Sequence, residues 1–250
     1  MAPTVLVTGA AGAIGSATVL ALGTQGHRIV GLDRKPSPQD SPTAAWIRHD
    51  LFDTAGTERL LAKSPALEGL QHVIAVAGGP IDGEVGLLDP AEVPVDLFAL
   101  SVQLNLVAQY AVVRAGADRI ETEAPDVDRS ITLISSLNAL RGYGMPGYSS
   151  AKAGLLGLVV ALALPLGRRG VRINAVVPGT VVTERFRQEY ASAPDLAPRL
   201  LDASASKRGT RPEDVARAVV AVLGLQQMTG QYLVIDGGQL AAPFDHYPLL

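Results

Sequence analysis

The chain has 250 residues, 48% of them hydrophobic and only 18% charged. That balance excludes general disorder and is enough for one sizeable core. A charge balance of 21 Lys and Arg against 24 Asp and Glu, net -3, gives no basic surplus for nucleic acid. The absence of cysteine excludes disulfides, thiolate catalysis and Cys-ligated metal sites.

Met1-Ala2-Pro3 runs straight into a strand-like segment, with neither a basic stretch nor an apolar leader. A cytoplasmic protein without an export signal is therefore expected. Short Val- and Ile-rich runs follow at 4–8, 28–33, 72–77, 130–135, 171–177 and 232–235, with a weaker one at 45–49. Most lack polar alternation, as strands covered on both faces do. Stretches of Ala, Leu and Gly at helical spacing predict helices over 14–22, 94–120, 149–166 and 212–225. Thr210 and Glu213 read as a capping box opening the last of these. The longest apolar stretch is broken by Pro165 and Arg168, short of the ~20 residues of a membrane helix. Strand–helix repetition predicts one doubly wound α/β domain over 1–250, with a mostly parallel sheet of about seven strands. Residues 180–211 are polar, carry Pro194 and Pro198 and lack a strand signal. They read as a substrate-binding lid whose Phe186, Tyr190, Leu196 and Leu200 suit a partly apolar ligand.

Directly after the first strand come Thr8-Gly9-Ala10-Ala11-Gly12-Ala13-Ile14-Gly15 and then a helix. Glycines here let the backbone turn sharply and approach a pyrophosphate held on helix N-terminal amides. Asp33, about 20 residues on at the end of the second strand, can accept from the hydroxyls of an adenosine ribose. Its charge would repel a ribose 2′-phosphate, so the expected coenzyme is NAD. The neighbouring Arg34 could pair with that phosphate, which leaves NADP open.

Tyr148 and Lys152 stand four apart at the start of an apolar helix and share a face. Ser135-Ser136 end the preceding strand, and a Gly-rich loop, Asn138 to Gly147, links them to the tyrosine. A phenol with pKa about 10 is a poor base at neutral pH. A nearby ammonium stabilises the phenolate, and a serine hydroxyl can hold the same reacting oxygen. The set suits proton exchange at an alcohol or carbonyl while a nicotinamide takes or gives hydride.

The glycine turn, the serine with Tyr-x-x-x-Lys and the chain length together resemble the short-chain dehydrogenase/reductase family, over nearly the whole chain. The resemblance implies a Rossmann fold and a homotetramer that interconverts a small secondary alcohol and a carbonyl, with no metal, nucleic acid or membrane partner. It makes Tyr148 the general acid/base, and Lys152 the holder of the nicotinamide ribose. Serine would orient the substrate oxygen, and Asn105 would anchor a water in a proton relay. Ser136 is chosen from the Ser-Ser motif, although the spacing to Tyr148 points to Ser135. The coenzyme would touch Gly9, Gly12, Ala13, Ile14, Gly15, Asp33, Arg34, Tyr148 and Lys152. It would further touch Asp50 and Leu51 beside the adenine, Ala77 and Gly78 after the fourth strand, and Pro178, Gly179, Val181 and Thr183 in an Asn174-x-x-x-Pro-Gly…Thr stretch. Tyr232 to Gly238 match the family's closing strand. The helix after Tyr148, through Leu155, Leu158 and Leu162, would contribute to a subunit interface. Two departures stand out: Ala13 replaces a usual glycine, and Ala75-Val76-Ala77-Gly78 replaces Asn-Asn-Ala-Gly, removing two amides that brace the sheet.

Other readings are weaker. Ser149-Ser150-Ala151-Lys152 is an S-x-x-K, yet only His246 follows as a base and no Lys-Thr-Gly or Ser-Asp-Asn accompanies it. A 3-oxoacyl thioester reductase of the same family and an inactive NAD-binding regulatory protein are the remaining alternatives. The complete Asn105, Ser136, Tyr148, Lys152 set argues against the inactive one.

Overall fold

A computed structural model describes residues 2–84, 92–120, 127–141, 144–189, 198 and 201–242. Tyr190, Leu196, Leu200 and His246 lie outside the described residues. Seven strands are β1 (Thr4–Thr8), β2 (Arg28–Asp33), β3 (Ala45–Arg48), β4 (Leu70–Ala75), β5 (Ser130–Ile134), β6 (Arg172–Pro178) and β7 (Gln231–Ile235). They form one sheet in the order β3-β2-β1-β4-β5-β6-β7, and every neighbouring pair is parallel. The doubly wound fold expected from the strand–helix alternation is the fold observed.

The strands are apolar on both sides because both sides are covered. Val5, Val7, Ile29, Ile74, Ile134 and Val176 pack with α1 (Ala13–Thr24) and α7 (Pro212–Gly224). Leu6, Val30, Leu32, Val73, Ile131, Leu133 and Ile173 pack with α2 (Thr54–Lys63), α4 (Ala108–Arg119) and α5 (Pro146–Gly167). Each fully buried aliphatic side chain contributes about 1.5–3 kcal/mol. The chain winds from β1 to β2 and β3, then crosses to β4 on the other side of β1. The connections leaving the carboxyl ends of β1 and β4 therefore run to opposite faces of the sheet, and a crevice opens between them.

Several boundaries differ from expectation. Helix α2 was invisible to periodicity, being polar and carrying Gly56; Asp53 caps it by accepting from the Gly56 N–H at 2.8 Å. The long middle helix is interrupted: α3 (Val95–Val102) joins α4 through a π-helical turn at Gln103–Val107. Helix α5 begins at Pro146, which presets its first turn, and runs through Pro165 without ending. The cap of α7 lies one residue later than expected, Arg211 N–H donating to Asp214 at 2.9 Å. Thr210 instead donates its hydroxyl to the Ile235 carbonyl.

Two helices, Val95–Arg119 and Pro146–Gly167, are long and apolar enough to cross a membrane, contrary to the length argument from sequence. Both pack on the sheet and carry buried polar residues, Asn105, Gln109 and Lys152. Leu155 is core, and Leu158 and Leu162 pack against it. The large apolar side chains that α5 exposes are instead Val160 and Leu164, with Tyr232 exposed on β7.

In the central strand β4, toward its amino end, His72 is buried and shares a 2.9 Å hydrogen bond with Ser130 through Nδ1. Burial lowers its pKa from 6.5 to about 4. The unfolded chain takes up this proton near pH 6.5 while the folded protein refuses it until about pH 4. Stability is therefore lost as pH falls through that window, by up to about 3 kcal/mol. Urea unfolding of wild type and His72→Gln at about pH 7 and about pH 4.5 should show a smaller acid loss in the variant.

Candidate active site

The glycine turn after β1 is built by two glycines in direct contact. Gly9 has φ +64°, and a Cβ there would lie 2.8 Å from the Ala77 backbone. A Cβ on Gly15 would collide with the Gly9 carbonyl oxygen. Helix α1 follows with Gly12 as N-cap, no side-chain cap and no acidic residue in its first turn. Its first amides, at Ala13, Ile14 and Gly15, are left for an anionic ligand, and the uncapped dipole favours one. This cradle, which any Cβ would fill, fits a dinucleotide pyrophosphate. Asp33 accepts from the N–H groups of Ala11 at 3.0 Å and Lys35 at 2.9 Å, tying the turn to the end of β2. Each oxygen keeps a lone pair for a ribose hydroxyl.

The exit of β4 lacks the two amides usual there, and other residues do their work. Thr8 Oγ1 accepts from Val76 and Ala77 N–H, and Gln109 Nε2 donates to the Ala77 carbonyl at 2.7 Å. Asn105 accepts from Gly79 N–H at 2.8 Å and donates to the Gly79 and Ser101 carbonyls, both at 3.0 Å. Its side chain is fully buried behind Gly78 and Gly79 and does not line the cavity. Asn105 thus holds the backbone against which a nicotinamide would lie.

The serine, tyrosine and lysine meet where β5 ends and α5 begins. Lys152 is 3% exposed, and its ammonium donates to the Ile134 carbonyl at 2.8 Å. Ser135 Oγ donates back to the Lys152 carbonyl at 2.8 Å. Ser135 is therefore committed to the junction. Both serines line the cavity, but Ser136 Oγ, 3.3 Å from Asn138, is the hydroxyl not spent on the Lys152 carbonyl. Lys152 Nζ lies 5.6 Å from the centre of the Tyr148 ring, within cation–π range. Burial lowers the lysine pKa from 10.5 to about 8. Protonated Lys152 beside the phenol favours its anion, which is what a base at neutral pH requires.

All of this opens into one cavity of about 1050 Å³. The glycine turn, Asp33, Arg34, Asp50 and Leu51 line one end, and Ala77, Gly78, Ser136, Tyr148 and Lys152 the middle. Pro178, Gly179, Val181 and Thr183 line the far side, with Arg185, Phe186 and Gln188 of α6 (Glu184–Glu189) beside them. Asn174 is not in the cavity: it donates to the Met228 carbonyl and accepts from Gln231 N–H, fastening β7. Ser149, of the S-x-x-K, donates to the Gly144 carbonyl and accepts from Asn138. Sequence reasoning missed Thr8, Gln109 and the buried Glu84, which accepts from Tyr148 N–H at 2.6 Å.

The fold and this constellation define a nicotinamide-linked oxidoreductase, and comparison with known proteins places it. A family model described as enoyl-(acyl carrier protein) reductase matches residues 9–239. The structure of an oxidoreductase of the short-chain dehydrogenase/reductase family from Burkholderia thailandensis is similar, with TM-score 0.82 and 30% identity over 97% of this chain and 94% of that one. The chain belongs to the short-chain dehydrogenase/reductase family and is an NAD(P)-dependent oxidoreductase interconverting alcohols and carbonyls. L-xylulose reductase of Mesocricetus auratus is 32% identical over 244 residues, 94% of this chain and 95% of that protein. L-rhamnose 1-dehydrogenase (NAD(P)(+)) of Azotobacter vinelandii is 29% identical over 248 residues, 94% and 95% of the two chains.

The two serines are separable. Ser136→Ala should lower kcat/KM about 10²–10³-fold with little change in the urea midpoint. Ser135→Ala should cost about 0.5–1.5 kcal/mol of stability, read from the same unfolding curves, because it removes the hydroxyl's bond to the Lys152 carbonyl, which keeps its partner within the helix.

Proposed function

We propose that Tyr148 is the acid/base of this oxidoreductase, acting at a secondary alcohol or its ketone, with NAD the preferred coenzyme. The observation that carries this is the convergence of Tyr148, Ser136 and Lys152 on the cavity that the glycine turn also opens into. The dinucleotide, when bound, supplies the hydride acceptor or donor. Ser136 donates to the substrate oxygen. Tyr148 takes the hydroxyl proton in oxidation and returns it in reduction, and Lys152 stabilises the phenolate and holds the nicotinamide ribose. Asp33 supports NAD by its position at the end of β2, while Arg34 and Lys35 line the same end and accommodate some NADP. The name of the rhamnose dehydrogenase, which carries both coenzymes, supports testing the two in parallel. Residues 180–211 act as the lid, since Thr183, Arg185, Phe186 and Gln188 line the cavity.

The names of the xylulose and rhamnose relatives support a polyol or sugar substrate. The matching family model is described by an enoyl reductase acting on acyl carrier protein, which supports an acyl thioester as the second reading, here a 3-oxoacyl one because the site is read as acting on a carbonyl. A panel of sugars, polyols, apolar ketones and 3-oxoacyl thioesters with each coenzyme, followed by reduced-nicotinamide absorbance, separates them. Tyr148→Phe should lower kcat at least about 10³-fold and leave NAD affinity within about threefold. Retained turnover overturns the assignment, and NAD binding without any turnover favours a regulatory protein.

We further propose a cytoplasmic homotetramer. Val160, Leu164 and Tyr232 support it, as apolar residues exposed on helix α5 and the edge strand β7. Light scattering should give the mass of four chains, and a monomeric mass removes the proposal.

A further inference from the structure

Helix α5 carries Tyr148 in its first turn, yet its own N-cap provides no side-chain acceptor. Met145 occupies that position in the left-handed region, φ 50°, without a side-chain cap. The acceptor comes instead from the loop after β4. Glu84 is fully buried, and its Oε1 accepts from Tyr148 N–H at 2.6 Å. Its Oε2 accepts from the Ser101 hydroxyl at 2.8 Å and from Ile81 N–H at 3.4 Å. Both oxygens receive donors, an arrangement that suits the carboxylate form. The approach is close because residue 147 is glycine: a Cβ there would lie 3.0 Å from Glu84 Oε1 and 2.9 Å from Ser101.

We propose that Glu84 is a positioning residue that caps the helix of Tyr148 from outside and holds its first turn against α3. It acts through Tyr148 and rests on the acid/base reading of that residue. The contact continues into the site: Ser101, which donates to Glu84, offers its carbonyl to Asn105, and Asn105 holds Gly79 on both sides. One buried chain of hydrogen bonds thus links the tyrosine's helix to the backbone after β4, so displacing Glu84 loosens both. The charged groups that the surrounding elements bring to this turn are Lys152 on α5, Asp82 and Glu84 on the loop, Asp96 on α3 and Arg185 on α6. Of these only Lys152 and Glu84 are buried. Arg185 is engaged by the Pro80 carbonyl and by Asp82. Glu84 thus holds the tyrosine's backbone on the turn from whose other end Lys152 reaches the ring.

Two variants separate holding from charge. Glu84→Ala removes the cap and should speed hydrogen exchange of the Tyr148 amide at least about tenfold while lowering kcat about 10–100-fold. Affinity for NAD should fall less than kcat does, because the glycine turn is remote from the change although the backbone after β4 is not. Glu84→Gln keeps an acceptor for Tyr148 N–H and a donor for Ser101. It should retain slow exchange and a kcat within about threefold of wild type. Ionisation of Tyr148 is read from tyrosinate absorbance as each protein minus its Tyr148→Phe counterpart. In Glu84→Gln it should move roughly 0.5–1 unit lower, since one nearby negative charge is gone. Unchanged exchange in Glu84→Ala overturns the proposal, as does a Glu84→Gln titration that superimposes on wild type. If Glu84→Ala fails to fold, Glu84→Gln carries the test. Exchange and absorbance need no turnover, so they judge Glu84 even if every substrate fails and the acid/base reading falls.

Discussion

The site depends on a reciprocal bond between the end of β5 and the middle of the second turn of α5. Lys152 sends its ammonium to the Ile134 carbonyl, and Ser135 sends its hydroxyl back to the Lys152 carbonyl. Both lie in a buried seam, where an unmade hydrogen bond costs about 1–3 kcal/mol. The strand end and the helix are thus locked in one relative position. That position sets Ser136, the next residue out, against Tyr148, one turn earlier on the helix. A serine and a tyrosine on a flexible loop would need ordering at each turnover; here the order is built in on folding.

The same economy governs the coenzyme end. Parallel strands bring the carboxyl ends of β1 and β4 side by side, and the reversal of winding opens the crevice. Gly9 then has to pass within contact distance of Ala77. That approach makes the turn and the β4 exit a single unit, fastened by Thr8 from β1 and by Gln109 and Asn105 from the long helix. Losing the two usual amides after β4 does not loosen the sheet, because a hydroxyl and two amides from elsewhere make the bonds. Local sequence in that stretch is therefore free to drift, provided the carbonyls and N–H groups there find partners.

What was legible in the sequence is what repeats or is local. Apolar runs without alternation announced a sheet covered on both faces, and the glycine turn, Asp33, Ser136, Tyr148 and Lys152 were found from spacing alone or with family resemblance. Glu84 was missed because its partners are 17 and 64 residues away, and a lone Glu in a Pro- and Gly-containing loop reads as a solvated charge. Gln109 sits on a helix face with no period to mark it. The π turn around Asn105 leaves no compositional trace, since a π-helical turn is set by packing. Leu155, Leu158 and Leu162 were given to a subunit interface because periodicity in an apolar helix cannot say which stripe the sheet takes. The serine ambiguity had a different origin: both residues end the same strand, and only the direction of each hydroxyl distinguishes them.

Burial of Lys152 has a further consequence for the chemistry. With its pKa lowered to about 8, the amine still carries its proton at neutral pH, but by a narrow margin. A phenolate forming beside it raises that value by the same free energy with which the ammonium lowers the tyrosine's, because the interaction is shared. Charge on either group therefore recruits charge on the other, and the pair ionises most readily as a unit. In water the same two groups would be screened and nearly independent. The apolar wall of α5 that makes the lysine costly to bury is thus what makes it effective. A tyrosine held permanently ionised would serve alcohol oxidation and have no proton to give back in carbonyl reduction. Reversibility at neutral pH requires a phenol that can take either form, which a neighbouring lysine only narrowly protonated at neutral pH allows.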